Sequence, residues 1–135
     1  MEIKWVDTHC HLQLLNKNLD ENHFKNIEFL VIPGVDVESS SKAKEISSSL
    51  EVESYWSAGL HPHDAKLLDT QRHDLEKLFV EADLIGETGL DFYRNLSTKE
   101  EQRENFLFHL EFSKQLDKPI IIHCRDSFQD TYDLL

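Results

Sequence analysis

Apolar and polar positions along the chain fall into a repeated order: a short apolar run, a turn, then a longer amphipathic stretch. The runs Ile3–Thr8, Phe29–Ile32, Glu53–Ala58, Leu84–Ile85 and Ile120–Ile122 predict five strands, closed by turn signals such as Pro33-Gly34 and Gly59. Between them, Asp20–Ile27 reads as a short helix. Asp36 is placed to cap a helix that carries Val37, Ala43, Ile46 and Leu50 on an otherwise Ser-rich segment. Leu75, Leu78, Phe79 and Ala82 recur at i, i+3, i+4 and i+7, a helical face. Ser97 with Glu100 has the spacing of a capping box. The helix it opens is expected to run to about Leu116, with Phe106, Leu107, Leu110 and Ser113 inward. Asp126 to Leu135 predicts the first turns of one more helix.

Strands that alternate with helices, each strand largely apolar, define an α/β domain with a parallel sheet and helices on its outer face. A single domain over 1–135 follows, built of barrel-type βα repeats. A closed (β/α)8 barrel takes about 250 residues, so about five of eight strands are expected here, a truncated barrel. The open sheet edges of such a half barrel invite self-association. An inactive fragment that pairs with another chain is therefore one reading of the sequence.

Composition narrows the class. Hydrophobic residues make up 39% and charged residues 30%, the balance of a soluble globular chain. No apolar run approaches the roughly 18 residues of a membrane span, so no membrane partner is expected. Met1–Val6 is too short and too polar for a signal peptide. The two cysteines, each beside a histidine, do not make a disulfide framework, and a cytoplasmic setting is expected. The formal net charge of -12 argues against binding through broad phosphate contacts. It leaves room for a nuclease whose bound metal ions supply positive charge locally.

The candidate chemistry lies at strand ends. His9 and His11 share one face of an extended segment while Cys10 faces the other way. His61 and His63 follow the third strand, Glu87 the fourth and His123 the fifth. Strand C-termini of a parallel sheet lie together, and packing alone does not call for imidazoles and a carboxylate there. Such donors suit zinc, manganese or iron, and magnesium less well. A glutamate can bridge two ions, and a two-metal site favours hydrolysis, most naturally of a phosphodiester.

The blocks Asp7-Thr8-His9-Cys10-His11-Leu12, Gly59-Leu60-His61-Pro62-His63, Gly86-Glu87-Thr88-Gly89-Leu90-Asp91-Phe92-Tyr93 and Ile122-His123-Cys124-Arg125-Asp126 resemble the TatD family of metal-dependent deoxyribonucleases. The resemblance implies a TIM barrel with two divalent metal ions (magnesium, manganese or zinc) that hydrolyses DNA, often from the 3′ ends of single strands. By position, His9 and His11 would hold the first metal, Glu87 would bridge, and His123 would hold the second. Glu87, His61 and His63 would form the catalytic group, the two histidines contacting phosphate or the bound water. Arg94 and Arg125 are candidate phosphate contacts, and Phe92 and Tyr93 candidate base-stacking residues. The family pattern also includes a further histidine for the second metal and an aspartate for the first, at positions past Leu135. Related amidohydrolases share the His-x-His strand, but they often carry a modified lysine where Glu87 stands.

Other features take plainer readings. Cys10 and Cys124 are expected to pack, Trp5 and Trp56 to lie in the core, and His23, His73 and His109 to be ordinary surface or helix-face residues. The acidic stretch Glu100–Glu111 reads as a solvated helix face.

Overall fold

The computed structural model describes residues 3–135, so Met1 and Glu2 of the Met1–Val6 stretch lie outside the described residues. The expected alternation is present. Strand β1 (Trp5–Asp7) leads through 3-10 turns at Leu12–Leu14 and Glu21–Phe24 to β2 (Ile27–Pro33) and helix α1 (Val37–Ser49). Then come β3 (Glu53–Ala58), a 3-10 turn at Pro62–Leu67, α2 (Leu68–Glu81), β4 (Leu84–Asp91), α3 (Lys99–Leu116), β5 (Ile120–Arg125) and α4 (Phe128–Leu134). Every neighbouring pair of strands is parallel, in the order β1-β2-β3-β4-β5. Each crossover returns the chain to the same end of the sheet, so all five strand C-termini emerge together. This is the architecture of a half barrel. No helix among the described residues is long and apolar enough to cross a membrane.

The core lies between sheet and helices. Leu30, Ile32, Trp56, Ala58 and Ile85 pack against Ala43 of α1, Leu75 and Phe79 of α2, and Phe108 of α3. The thin apolar stripe of α1 has a physical reason. Its buried face carries Ser39, Ser40 and Ala43, small residues that let the helix sit close to the strands. Ser40 Oγ accepts from Gly59 N at 3.2 Å. Asp36 caps α1 as expected, through a reciprocal pair with Ser39.

Several expectations are corrected. The first strand is shorter than Ile3–Thr8, and Trp5 is 64% exposed because β1 pairs only with β2 and all three of its residues are left exposed. Trp56 is buried as expected. Only Glu21–Phe24 of the segment Asp20–Ile27 is helical, since Ile27 already pairs with Trp5 in the sheet. The fourth strand does not stop at Ile85 but continues to Asp91, so Glu87 lies within the strand. Gly86 and Gly89 lie inside this strand and serve close strand approach. Their φ values are +115 and +141, and a Cβ at Gly89 would stand 2.0 Å from His123 O. The capping box of α3 is Thr98 with Glu101, one residue later than expected. Ser97 is instead buried, donating to His63 O and accepting from Lys66 N.

The inner face of α3 is also more polar than its pattern suggested. Gln102, Asn105 and His109 are fully buried beside Phe106 and Phe108, while Leu107 is exposed and Leu110 and Ser113 are half-buried. His109 is thus no surface residue, whereas His23 and His73 are exposed as expected. Cys10 is half-buried, its thiol donating to Val31 O, but Cys124 is exposed rather than packed.

Candidate metal centre

The segment after β1 is fixed by its backbone. His9 N donates to Asp7 Oδ1 at 3.0 Å, and Cys10 N donates to Val31 O at 3.0 Å. With Cys10 held against β2, its two neighbours reach the other side, toward β4. His11 Nδ1 donates to Pro33 O at 3.0 Å, which leaves Nε2 of the neutral ring free as a ligand. The Nε2 atoms of His9 and His11 lie 3.1 Å apart, and 3.2 and 3.4 Å from Glu87 Oε2. Donors held tetrahedrally around zinc at about 2.0–2.1 Å stand about 3.3–3.4 Å from each other. The triangle therefore fits a divalent ion of that size.

The other oxygen of Glu87 addresses different residues. Oε1 is 3.2 Å from His123 Nδ1 and 4.0 Å from His61 Nε2, and these two ring nitrogens are 3.2 Å apart. The ligand atoms of His61, Glu87 and His123 form a second compact group, beside that of His9, His11 and Glu87. Within it His61 differs from His123. Its Nδ1 accepts from His63 N at 3.2 Å, capping the turn Pro62–Leu67, so the neutral ring carries its proton on Nε2. Burial, with the neighbouring His123, pushes its pKa from 6.5 down to about 4, and the ring stays neutral near pH 7. His61 Nε2 is accordingly built to donate a hydrogen bond.

Glu87 is only 7% exposed. Burial opposes its charge, but hydrogen bonds from His11 and His123 prevail and hold the carboxyl well below the usual carboxylate range. The same contacts raise the two partners. Glu87 is the main cause for both His11 and His123, with burial working against it. In the ion-free cluster, protons on the imidazoles balance the charge that a cation would otherwise balance.

Six of the expected site residues meet here. His9, His11, His61, His63, Glu87 and His123 line one open cavity of about 440 Å³ with Val35 and Asp64. The four expected substrate contacts lie outside it. Arg125 pairs with Asp91 at 2.8 Å and lies over the Tyr93 ring at 4.7 Å. Lys99 Nζ lies 4.2 Å from the Phe92 ring centre. Tyr93 is 67% exposed, and Arg94 is exposed in the same loop.

The support beneath the site went unread in the sequence. His109 Nε2 accepts from Leu60 N at 3.0 Å and Asn105 Nδ2 donates to Leu60 O at 2.7 Å, so α3 grips the peptide just before His61. Gln102 likewise pairs with both N and O of Asp91. Asp91 itself is fully buried and touches His63, His123 and Arg125. One signal could have flagged it: it stands four residues after Glu87 on a strand, and so on the same face.

A parallel half barrel with imidazoles and a carboxylate converging at its strand C-termini has the architecture of a metal-dependent hydrolase domain. Residues 6–135 match the TatD related DNase family, and the chain belongs to that family. It is 31% identical over 151 aligned positions to an uncharacterized metal-dependent hydrolase of Buchnera aphidicola, covering 96% of this chain and 56% of that protein. It is 36% identical over 110 positions to the 3′-5′ ssDNA/RNA exonuclease TatD of Shigella flexneri, covering 78% of this chain and 42% of that protein. The crystal structure of YjjV, a TatD homologue of Escherichia coli, superposes with a TM-score of 0.84 at 22% identity, over 97% of this chain and 54% of that one. The chain spans about half the length of the relatives it matches.

Proposed function

We propose that this chain carries the metal-binding half of a hydrolase that cleaves phosphodiester bonds of DNA, acting on single strands or their 3′ ends. The observation that carries the reading is the division of Glu87. One oxygen faces His9 and His11 and the other faces His123, as expected of a carboxylate that bridges two cations. His9, His11 and Glu87 would hold one divalent ion, and Glu87 and His123 a second. The donor set of imidazole and carboxylate suits manganese or zinc better than magnesium. A divalent ion bound by these residues would supply an acidified water and positive charge against the phosphoryl oxygens.

The chain's own residues then have definite tasks. His61, neutral and protonated on Nε2, donates to a phosphate oxygen or to the attacking water. His63 sits beside it, anchored on Asp91, and limits where that oxygen can lie. Arg94 and Arg125 would contact phosphates of a strand that extends beyond the cavity, and Tyr93 offers an exposed ring for a base. The relative named as an ssDNA/RNA exonuclease supports this substrate class, and the two free thiols, Cys10 and Cys124, suit a reducing cytoplasm.

The test is hydrolysis of end-labelled single-stranded DNA by the purified chain with manganese. The expected result is shortening from the 3′ end that falls by about 10³-fold or more in Glu87→Gln. Equal activity in the wild type and Glu87→Gln would refute the reading.

A further inference from the structure

We infer that Asp91 is a positioning residue of the metal centre: it holds the proton of His123 on Nε2, so that only Nδ1 can turn to a cation beside Glu87. The inference rests on the metal-site reading above and adds a residue to it.

His123 stands between two carboxylates. Its Nδ1 is 3.2 Å from Glu87 Oε1 and its Nε2 is 3.0 Å from Asp91 Oδ2. The two sides are not equivalent. Glu87 faces the open cavity, where an ion has room. Asp91 is fully buried, and its carboxylate is already saturated. Oδ1 accepts from the backbone N–H groups of Tyr93 and Arg94, each at 3.1 Å. Oδ2 faces His63 Nε2 at 2.8 Å, His123 Nε2 at 3.0 Å and Arg125 Nε and Nη2 at 3.1 and 2.8 Å. Six donors converge on a group with about four lone-pair sites.

Two consequences follow. Asp91 has no lone pair left for a metal, although it lies within reach of two histidines. An imidazole nitrogen facing an ionised carboxylate at such a distance must bear a proton, because two acceptors repel. A cation that binds His123 can therefore displace a proton only from Nδ1. Gln102 fixes the peptide of Asp91 and Arg125 fixes its carboxylate, so the constraint comes from the rigid strand and helix and not from a mobile loop. His11 is held in the mirror sense, with Nδ1 on Pro33 O and Nε2 toward Glu87.

The test uses the whole chain labelled with ¹⁵N-histidine and zinc as the only ligand. In the zinc-loaded wild type, His123 should show a protected Nε2–H and a metal-shifted Nδ1. In Asp91→Asn, zinc affinity measured by competition with a chelator should fall about 10–100-fold, the usual cost of losing a ligand's hydrogen-bond partner. Zinc bound through Nε2 of His123, or unchanged affinity in folded Asp91→Asn, would overturn the inference alone. Absence of zinc uptake by the wild type would overturn the metal-site reading and this inference with it. Should Asp91→Asn fail to fold, the wild-type tautomer decides the question, since a purely structural role for Asp91 does not dictate which nitrogen of His123 takes the metal.

Discussion

Acid should lower the stability of the fold, and His109, in the floor of the site, supplies a measurable share of that effect. The ring is fully buried on α3, its Nε2 accepts from Leu60 N at 3.0 Å, and its Nδ1 donates to Asn105 O at 2.8 Å. A second proton would have to sit on Nε2, directly against the Leu60 amide hydrogen. Burial pushes the pKa from 6.5 down to about 4. The sign follows: the folded ring binds fewer protons than the unfolded one between those values, so stability present above pH 6.5 is lost as pH falls toward 4. Proton linkage over that gap costs about 2 kcal/mol between about pH 7 and pH 5. His61 shifts the same way, while His11 and His123, whose pKa values are raised, shift oppositely, so the raw profile mixes several groups. His109→Gln isolates one of them, because its amide oxygen can accept from Leu60 N but cannot titrate near these values. Urea unfolding of both proteins at the two pH values is the assay. The wild type should lose its advantage over His109→Gln by about 2 kcal/mol on acidification. Parallel profiles would refute the claim that His109 is held neutral by the fold.

Other outcomes follow from single contacts. Gly89→Ala should destabilise by more than about 3 kcal/mol, or prevent folding, because φ is +141 and the new methyl would meet His123 O; a thermal melt reads this. Thr98→Ala should cost about 1 kcal/mol as the loss of an N-cap, measured by urea titration. Ser97→Ala instead leaves the cap intact and frees the turn that carries His63, so crystallography or amide exchange should show its effect at Lys66. Phe79→Ala, at the centre of the aromatic cluster with Phe108 and Phe112, should cost about 3–5 kcal/mol in the same titration.

The βα order, the third strand and the meeting of six site residues were legible because they depend on local pattern. Apolar runs, turn residues and the positions of His9, His11 and His61 after their strands are all short-range signals, whereas β5 runs on to Arg125, so His123 lies inside its strand rather than at its end. What escaped was set by tertiary contact. The apolar run predicts a fourth strand of Leu84–Ile85 alone because glycine usually breaks strands, yet Gly86 and Gly89 lie within β4 and admit β5 at close range. Apolar spacing predicts Phe106, Leu107, Leu110 and Ser113 on the inner face of α3; Phe106 is buried, but Gln102, Asn105 and His109 also face inward to hold the backbones of Leu60 and Asp91. A polar residue that serves a distant peptide has no periodic signature. A tryptophan on a strand predicts a core position for Trp5, but an edge strand with a single partner leaves it exposed. The Ser97 cap failed by one residue, since Thr98 and Glu101 offer the same spacing and Ser97 is occupied by the His63 turn.

The claim at the centre is that Glu87 gathers two sets of histidines into a metal site. Calorimetric titration of the chain with zinc near neutral pH, wild type against Glu87→Gln, tests it most directly. Tight uptake by the wild type and at least about a 100-fold loss of affinity in the variant are expected, since the one carboxylate common to both ligand groups is gone. Absence of uptake by the folded wild type, or equal affinity in Glu87→Gln, would contradict it.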